Sequence, residues 1–313
     1  MSPAEHLFDE YVMVDWSAAT RPVTGANSIW VAHGRRRRGG LGVSTANPPT
    51  RDEACRHLVE LLEGAIGRRA TVLVGVDFSF GYPEGFSTYT EGLVRPADVP
   101  WRRAWRVLSE RIEDGPDNTN NRFAVADGIN GATRTALFWG RPMGPRFDGL
   151  AHLAPTSAVP AHLAARRCAT LRVTERLAGP GIKSGWQLFG GITVGGQVLV
   201  GLPRLASLLG HFGEAAVVWP FETGLTADPR HRSDARSAAS LVFAEIWPGA
   251  VALTTTASGV RDEAQVVSVV RACAGRDPAG LGAWFAPDAA RSLSPGGRTA
   301  VEEEEGWILG VGA

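Results

Sequence analysis

The chain has 313 residues, enough for one large domain or two modest ones with a substantial core. Hydrophobic residues make up 44% and charged residues 20%, and Lys+Arg equals Asp+Glu at 32, which excludes a global basic field for nucleic acid but not a local patch. Cys55, Cys168 and Cys273 are too few and too scattered for a disulfide framework or a paired-cysteine zinc site, so a reducing cytoplasm is expected.

The start, MSPAEHLFDE, lacks a basic stretch followed by an apolar run, so no secretory signal is expected. No run of about 18 apolar residues predicts a membrane span. No repeat of fixed period occurs.

In chain order, YVMVDWSA (11–18) reads as a short buried strand ending in Asp15. NSIWVAHG and LGVSTA read as two further strands across the glycine-rich turn GRRRRGG, which together predict an antiparallel meander. The run Arg35 to Arg38 reads as a solvated hairpin tip, with a nucleic-acid backbone contact as the alternative. TRDEACRHLVELLEGAIG predicts a helix: Thr50 caps it, Glu53 completes a capping box, Leu58, Leu61, Leu62 and Ile66 share a face, and Gly67 ends it. TVLVGVDFSF then reads as a parallel central strand, buried on both faces and reaching Asp77.

Residues 81–185 are rich in Pro, Gly, Asn and Arg with only patchy helical pattern, in WRRAWRVLSERIE and PAHLAARRCATLRV, and read as an insertion or lid. Beyond them, GQVLVGLP predicts a strand and PRLASLLGHF a short helix opened by Pro203. EAAVVWPFE and SLVFAEIWPG predict strands, the second ending in Glu245. RDEAQVVSVVRACAG and LGAWFAPDAARSL predict helices; the run Glu302 to Glu305 reads as a solvent-facing link before the apolar GWILGV. The expected architecture is one α/β domain over 1–313, with core segments 8–80 and 186–313 around the insertion.

Asp15, Asp77 and Glu245 each stand at the C-terminal end of an apolar run, where an unpaired carboxylate is desolvated or faces its like. One such acid alone reads as a turn former or cap. The ordered set, with Asp262 opening a late helix, points to a hard divalent cation, Mg²⁺ or Mn²⁺, beyond the carboxyl ends of the strands.

The segments VMVDWSAA, VGVDFSFGYP, FAEIWPGAVAL, DEAQVVSVVRACA and EEGWILGV make the chain resemble the predicted ribonuclease H-like nucleases grouped as domain of unknown function 429. The resemblance implies a ribonuclease H-like mixed sheet, an antiparallel meander followed by parallel strands, flanked by helices. It assigns the metal and catalytic acids to Asp15, Asp77, Glu245 and Asp262, and it is weakened where relatives carry a further Asp and this chain has Gln265. The implied activity is phosphodiester hydrolysis by a two-metal mechanism, with Asp15 bridging. Two alternatives stand beside it: an inactive nucleic-acid or nucleotide-binding protein, and a nucleotide- or cofactor-handling enzyme of the kind labelled molybdopterin guanine dinucleotide synthesis.

Candidate substrate contacts are Asn120, Asn121 and Arg122 (with Asn118), Arg141 beside Trp139, and Lys183. The Asn-rich stretch reads equally as a loop ordered by Asx-turns, Trp139 as core, and Glu222 as a turn acid. Ile182 before Lys183 breaks the P-loop pattern, and Ser17 lacks a nucleophile-elbow context.

Overall fold

In a computed structural model, a single six-stranded mixed sheet carries the acidic strand ends. The structure describes residues 6–95, 99–143, 147–152, 162–165, 167–190, 193–232, 237–277 and 279–313. Its strands are β1 (Glu10–Asp15), β2 (Trp30–Arg37), β3 (Gly40–Ala46), β4 (Val72–Val76), β5 (Ala216–Val218) and β6 (Leu241–Glu245), in the spatial order β3-β2-β1-β4-β6-β5. The first three form the antiparallel meander, and β4, β6 and β5 run parallel to β1. The described helices are α1 (Arg51–Gly67), α2 (Phe86–Tyr89), α3 (Pro100–Ser109), α4 (Arg122–Thr133), α5 (Val173–Ala178), α6 (Gly195–Phe212), α7 (Arg261–Arg276), α8 (Leu281–Phe285) and α9 (Pro295–Ala300).

Both faces of the sheet are covered, which is why β1, β4 and β6 are apolar without alternation. Val12, Val14, Val74, Val76 and Phe243 pack under α1 and α6 through Leu58, Leu62, Leu202 and Leu205. Tyr11, Met13, Leu73, Val242 and Ala244 face α7 through Val266, Val270 and Cys273. α1 starts as its sequence dictates: the Thr50 side chain accepts from the Glu53 N–H, and acids occupy the first turn.

Several expectations are corrected. Residues 196–203 are not a strand, because α6 runs unbroken from Gly195 to Phe212 through Pro203. Its first half is buried all round, so it lacks the 3.6-residue alternation that marks a surface helix. The segment 281–293 splits into α8 and a 3-10 turn over Asp288–Ser292. In the patchy run 160–173, residues 160, 161 and 166 lie outside the described residues, while 162–165 and 167–172 are not helical. Much of 81–185 is continuous with the core: Phe86, Trp105 and Phe138 join the cluster under α1 and α6, and Tyr82 stacks on Trp186 at 4.6 Å. No described helix is long and apolar enough to cross a membrane, and the three cysteines are free thiols.

Candidate functional site

Register decides which acids meet. β1 and β4 pair with Val14 opposite Val76, and the Asp77 N–H extends the ladder by donating to the Val14 carbonyl at 2.9 Å. Asp15 and Asp77 therefore stand side by side. Side chains alternate faces along a strand, so both leave on the α7 side, following Tyr11, Met13, Leu73 and Gly75. Asp262, second residue of α7, reaches the same edge, where its Oδ2 accepts from the Asn27 N–H at 2.6 Å. All three acids are half-buried.

The electrostatics follow from that placement. Desolvation first, then the charges of Asp77 and Asp262, push Asp15 well above the ordinary aspartate range. Desolvation, then Glu245 and Asp262, push Asp77 up to about 7. No described residue gives the Asp15 or Asp77 carboxylate a cationic partner.

Glu245 does not complete this set. β6 pairs with β4 so that Glu245 lies opposite Val76, one residue out of step with Asp77. Its side chain therefore leaves on the α1/α6 face. There Arg172 meets it in a two-pronged ion pair, Nη1 to Oε2 at 2.7 Å and Nη2 to Oε1 at 2.5 Å, while the Phe80 N–H donates to Oε2 at 3.0 Å. The remaining Arg172 donors reach Glu175 Oε1, Ser79 Oγ and the Glu305 carbonyl, so the guanidinium is saturated. Burial pushes Glu245 upward, and the facing guanidinium opposes that push. The cation answering Glu245 is thus a side chain from within 81–185. Glu263 is also spent, on Thr45 and Ser258.

The run Glu302 to Glu305 is not a solvent-facing link. Glu304 takes the Gly85 and Ser87 N–H groups, and Glu305 takes those of Glu84 and Val173. Both are buried, and they anchor the chain that follows β4. Glu222 proves to be a turn acid: its Oε2 accepts from the Val218 N–H at 2.9 Å.

The loop leaving Asp15 is pinned by a residue that sequence reading missed. Arg51, fully buried at the start of α1, donates to the carbonyls of Ser17, Ala19 and Asn118 and pairs with Asp114. Only its place in the first turn of a helix, where a buried Arg is unexpected, hinted at this. Asn118 adopts a left-handed φ of 70° and caps the Arg51 N–H. Asn121 spends its amide on the Glu113 N–H and the Arg111 carbonyl. Asn120 bonds the Asn118 carbonyl and Arg122 Nη1. The Asn-rich stretch is therefore ordered by its own side chains.

Arg122 differs. Its Nε is buried and has no hydrogen-bond partner among the described residues, no described acid pairs with it, and desolvation and then Arg51 lower its pKa to about 10. It abuts the first turn of α6: a Cβ on Gly196 would lie 3.3 Å from Arg122 Nε and 3.2 Å from Ala18 Cβ. Arg122 thus borders the loop that carries Asp15. Arg141 instead donates to His152, Lys183 is exposed, and Trp139 is core.

Among the described residues, no group of three or more His, Cys, Asp or Glu is drawn together closely enough to hold a metal ion. A pair of carboxylates is still an adequate protein contribution for Mg²⁺, which usually keeps several waters and takes one or two carboxylates plus substrate oxygens. Asp15 and Asp77 are all-oxygen, adjacent and without a counter-charge among the described residues, so the donors fit such an ion. Compared with family models, curated proteins and solved structures, the chain finds no match.

Proposed function

We propose that this chain is a metal-dependent phosphodiester hydrolase of ribonuclease H-like fold, acting on nucleic acid or nucleotide, centred on Asp15 and Asp77 with Asp262 beside them. The observation that carries the reading is the Asp15–Asp77 pair: two carboxylates held together by strand register, with no cationic side chain among the described residues between them. A fold keeps such repulsion when a ligand repays it. Mg²⁺ or Mn²⁺, when bound there, would polarise a phosphoryl oxygen as a Lewis acid. Asp15 and Asp77 would hold it, Asp262 would orient water or the ion's outer sphere, and Arg122 would attract a substrate phosphate across the Ser17–Ala19 loop. Glu245 has a structural role in this reading, which favours one ion over two.

The test is a thermal melt of the whole chain in Mn²⁺ against chelator, run beside cleavage of labelled single strands. Wild type should gain stability in Mn²⁺ and cleave; Asp15→Asn should lose both responses while keeping its circular dichroism spectrum. A melt indifferent to Mn²⁺ sinks the metal centre. Metal binding without cleavage of any substrate would leave a binding protein.

A further inference from the structure

The chain between β6 and α7, residues 247–260, borders the acidic centre at both ends. Ile246 stands beside Asp77, because Glu245 pairs with Val76 and the Ile246 N–H donates to the Val76 carbonyl at 3.1 Å. Asp262 follows shortly after the segment closes. The segment is pinned along its length. Pro248–Ala250 forms a 3-10 turn against α7, the Thr254 N–H donates to Ser268 Oγ at 2.7 Å, and the Gly259 N–H donates to the Thr256 carbonyl. It is therefore a fixed rim of the centre on the α7 side.

The chemistry of that rim is unlike phosphate recognition. Its sequence, WPGAVALTTTASGV, contains no charged side chain to set against a phosphate. It offers an indole, aliphatic groups and hydroxyls instead, and Leu253 is 57% exposed.

Trp247 is the unusual residue. Of the ten tryptophans, it alone joins neither of the apolar clusters that flank the sheet. It is half-buried, and among the described residues no ring packs on it and no group hydrogen-bonds its indole. Gly249 gives the ring its seat: a Cβ there would lie 2.8 Å from Trp247 Nε1 and Cε2. An indole held outside the core on a rigid turn is a platform for another flat ring. A nucleobase meets that need whatever its identity, because every base has a π-face. A base inside a duplex does not, because its neighbours already cover both faces.

Building on the hydrolase reading, we infer that Trp247 stacks an unpaired base of the substrate, next to the phosphate held at Asp15 and Asp77. The chain then selects single-stranded over duplex nucleic acid.

The probe is a labelled, cleavage-resistant phosphorothioate oligothymidylate of about ten nucleotides, within the span of one single-strand site. Its binding to the full chain in Mn²⁺ is followed by fluorescence anisotropy, alone and as a duplex with oligoadenylate. Wild type should bind the single strand more tightly than the duplex. Trp247→Ala should weaken single-strand binding by about tenfold, the loss of one base–aromatic stack, and leave duplex binding unchanged. Trp247→Phe should recover most of that loss. Gly249→Ala keeps the indole but pushes it off its seat, and should fall between wild type and Trp247→Ala. All three variants should keep the Mn²⁺-induced rise in melting temperature, since none touches a carboxylate. Wild type that binds duplex as tightly as single strand, or binds no single strand, overturns the assignment, and so does single-strand binding equal in wild type, Trp247→Ala and Gly249→Ala. The two readings fail separately: a wild-type melt indifferent to Mn²⁺ sinks the metal centre, whereas a normal Mn²⁺ response with single-strand binding and cleavage untouched by Trp247→Ala sinks the stacking alone.

Discussion

Asp77 shows how much a single residue can report. An acid whose folded pKa lies above its unfolded value holds its proton more tightly when folded, so protonation supports the fold at low pH. For Asp77 that support is lost as pH climbs from the ordinary aspartate value of 3.8 through about 7. In chelator, Asp77→Asn should therefore melt like wild type near about pH 4 and be more stable by on the order of 2–4 kcal/mol near about pH 8. Added Mn²⁺ should narrow that gap by stabilising wild type alone. An equal offset at both pH values would show that Asp77 titrates normally. Arg51 makes the complementary case. Arg51→Met leaves Asp114 to Arg204 alone among the described arginines and frees the carbonyls of Ser17 and Ala19, and should cost about 1–3 kcal/mol in urea unfolding.

At the scale of elements, the site depends on a one-residue offset between β4 and β6. That offset sends Glu245 to Arg172 and leaves Asp15 and Asp77 together. Glu245→Gln should consequently keep the Mn²⁺-induced rise in melting temperature that Asp15→Asn loses, although its baseline stability falls because Arg172 is left with less charge to face. Loss of the Mn²⁺ response in Glu245→Gln would put that side chain in the coordination sphere after all. α6 makes a second element-scale point. It seats itself on the sheet only because Gly201 is bare: a Cβ there would lie 2.5 Å from the Phe78 ring. Gly201→Val should cost about 1–3 kcal/mol by overpacking, read as a shifted urea midpoint.

Across the whole molecule, distant segments close the same edge of the sheet. The Leu309 N–H donates to the Glu245 carbonyl at 2.9 Å, Trp307 is fully buried, and Glu304 and Glu305 hold the chain after β4. Deleting residues 306–313 should therefore abolish the near-ultraviolet circular dichroism of the aromatic core, with secondary structure partly retained. A deletion variant with an unchanged near-ultraviolet spectrum would show that the closing segment is dispensable. The region 81–185 belongs to the same network. Its composition resembles a loop, yet it supplies Arg172 and much of the aromatic core, because buried aromatics spaced irregularly leave no period to read.

What the sequence by itself determined was local. The α1 capping box, the meander of three strands, the apolar strands covered on both faces, and the α7 helix all follow from short-range pattern and hydrogen-bonding chemistry. The placement of Asp15 and Asp77 at strand ends was equally legible. What only the tertiary structure decided was relational: the strand register that divides Asp77 from Glu245, the arginines that answer Glu245 and Asp114, and the burial of Glu304 and Glu305. The reason is physical. A strand apolar on both faces carries no mark of which way its last side chain points, and a charge announces its partner only when the fold removes water from both.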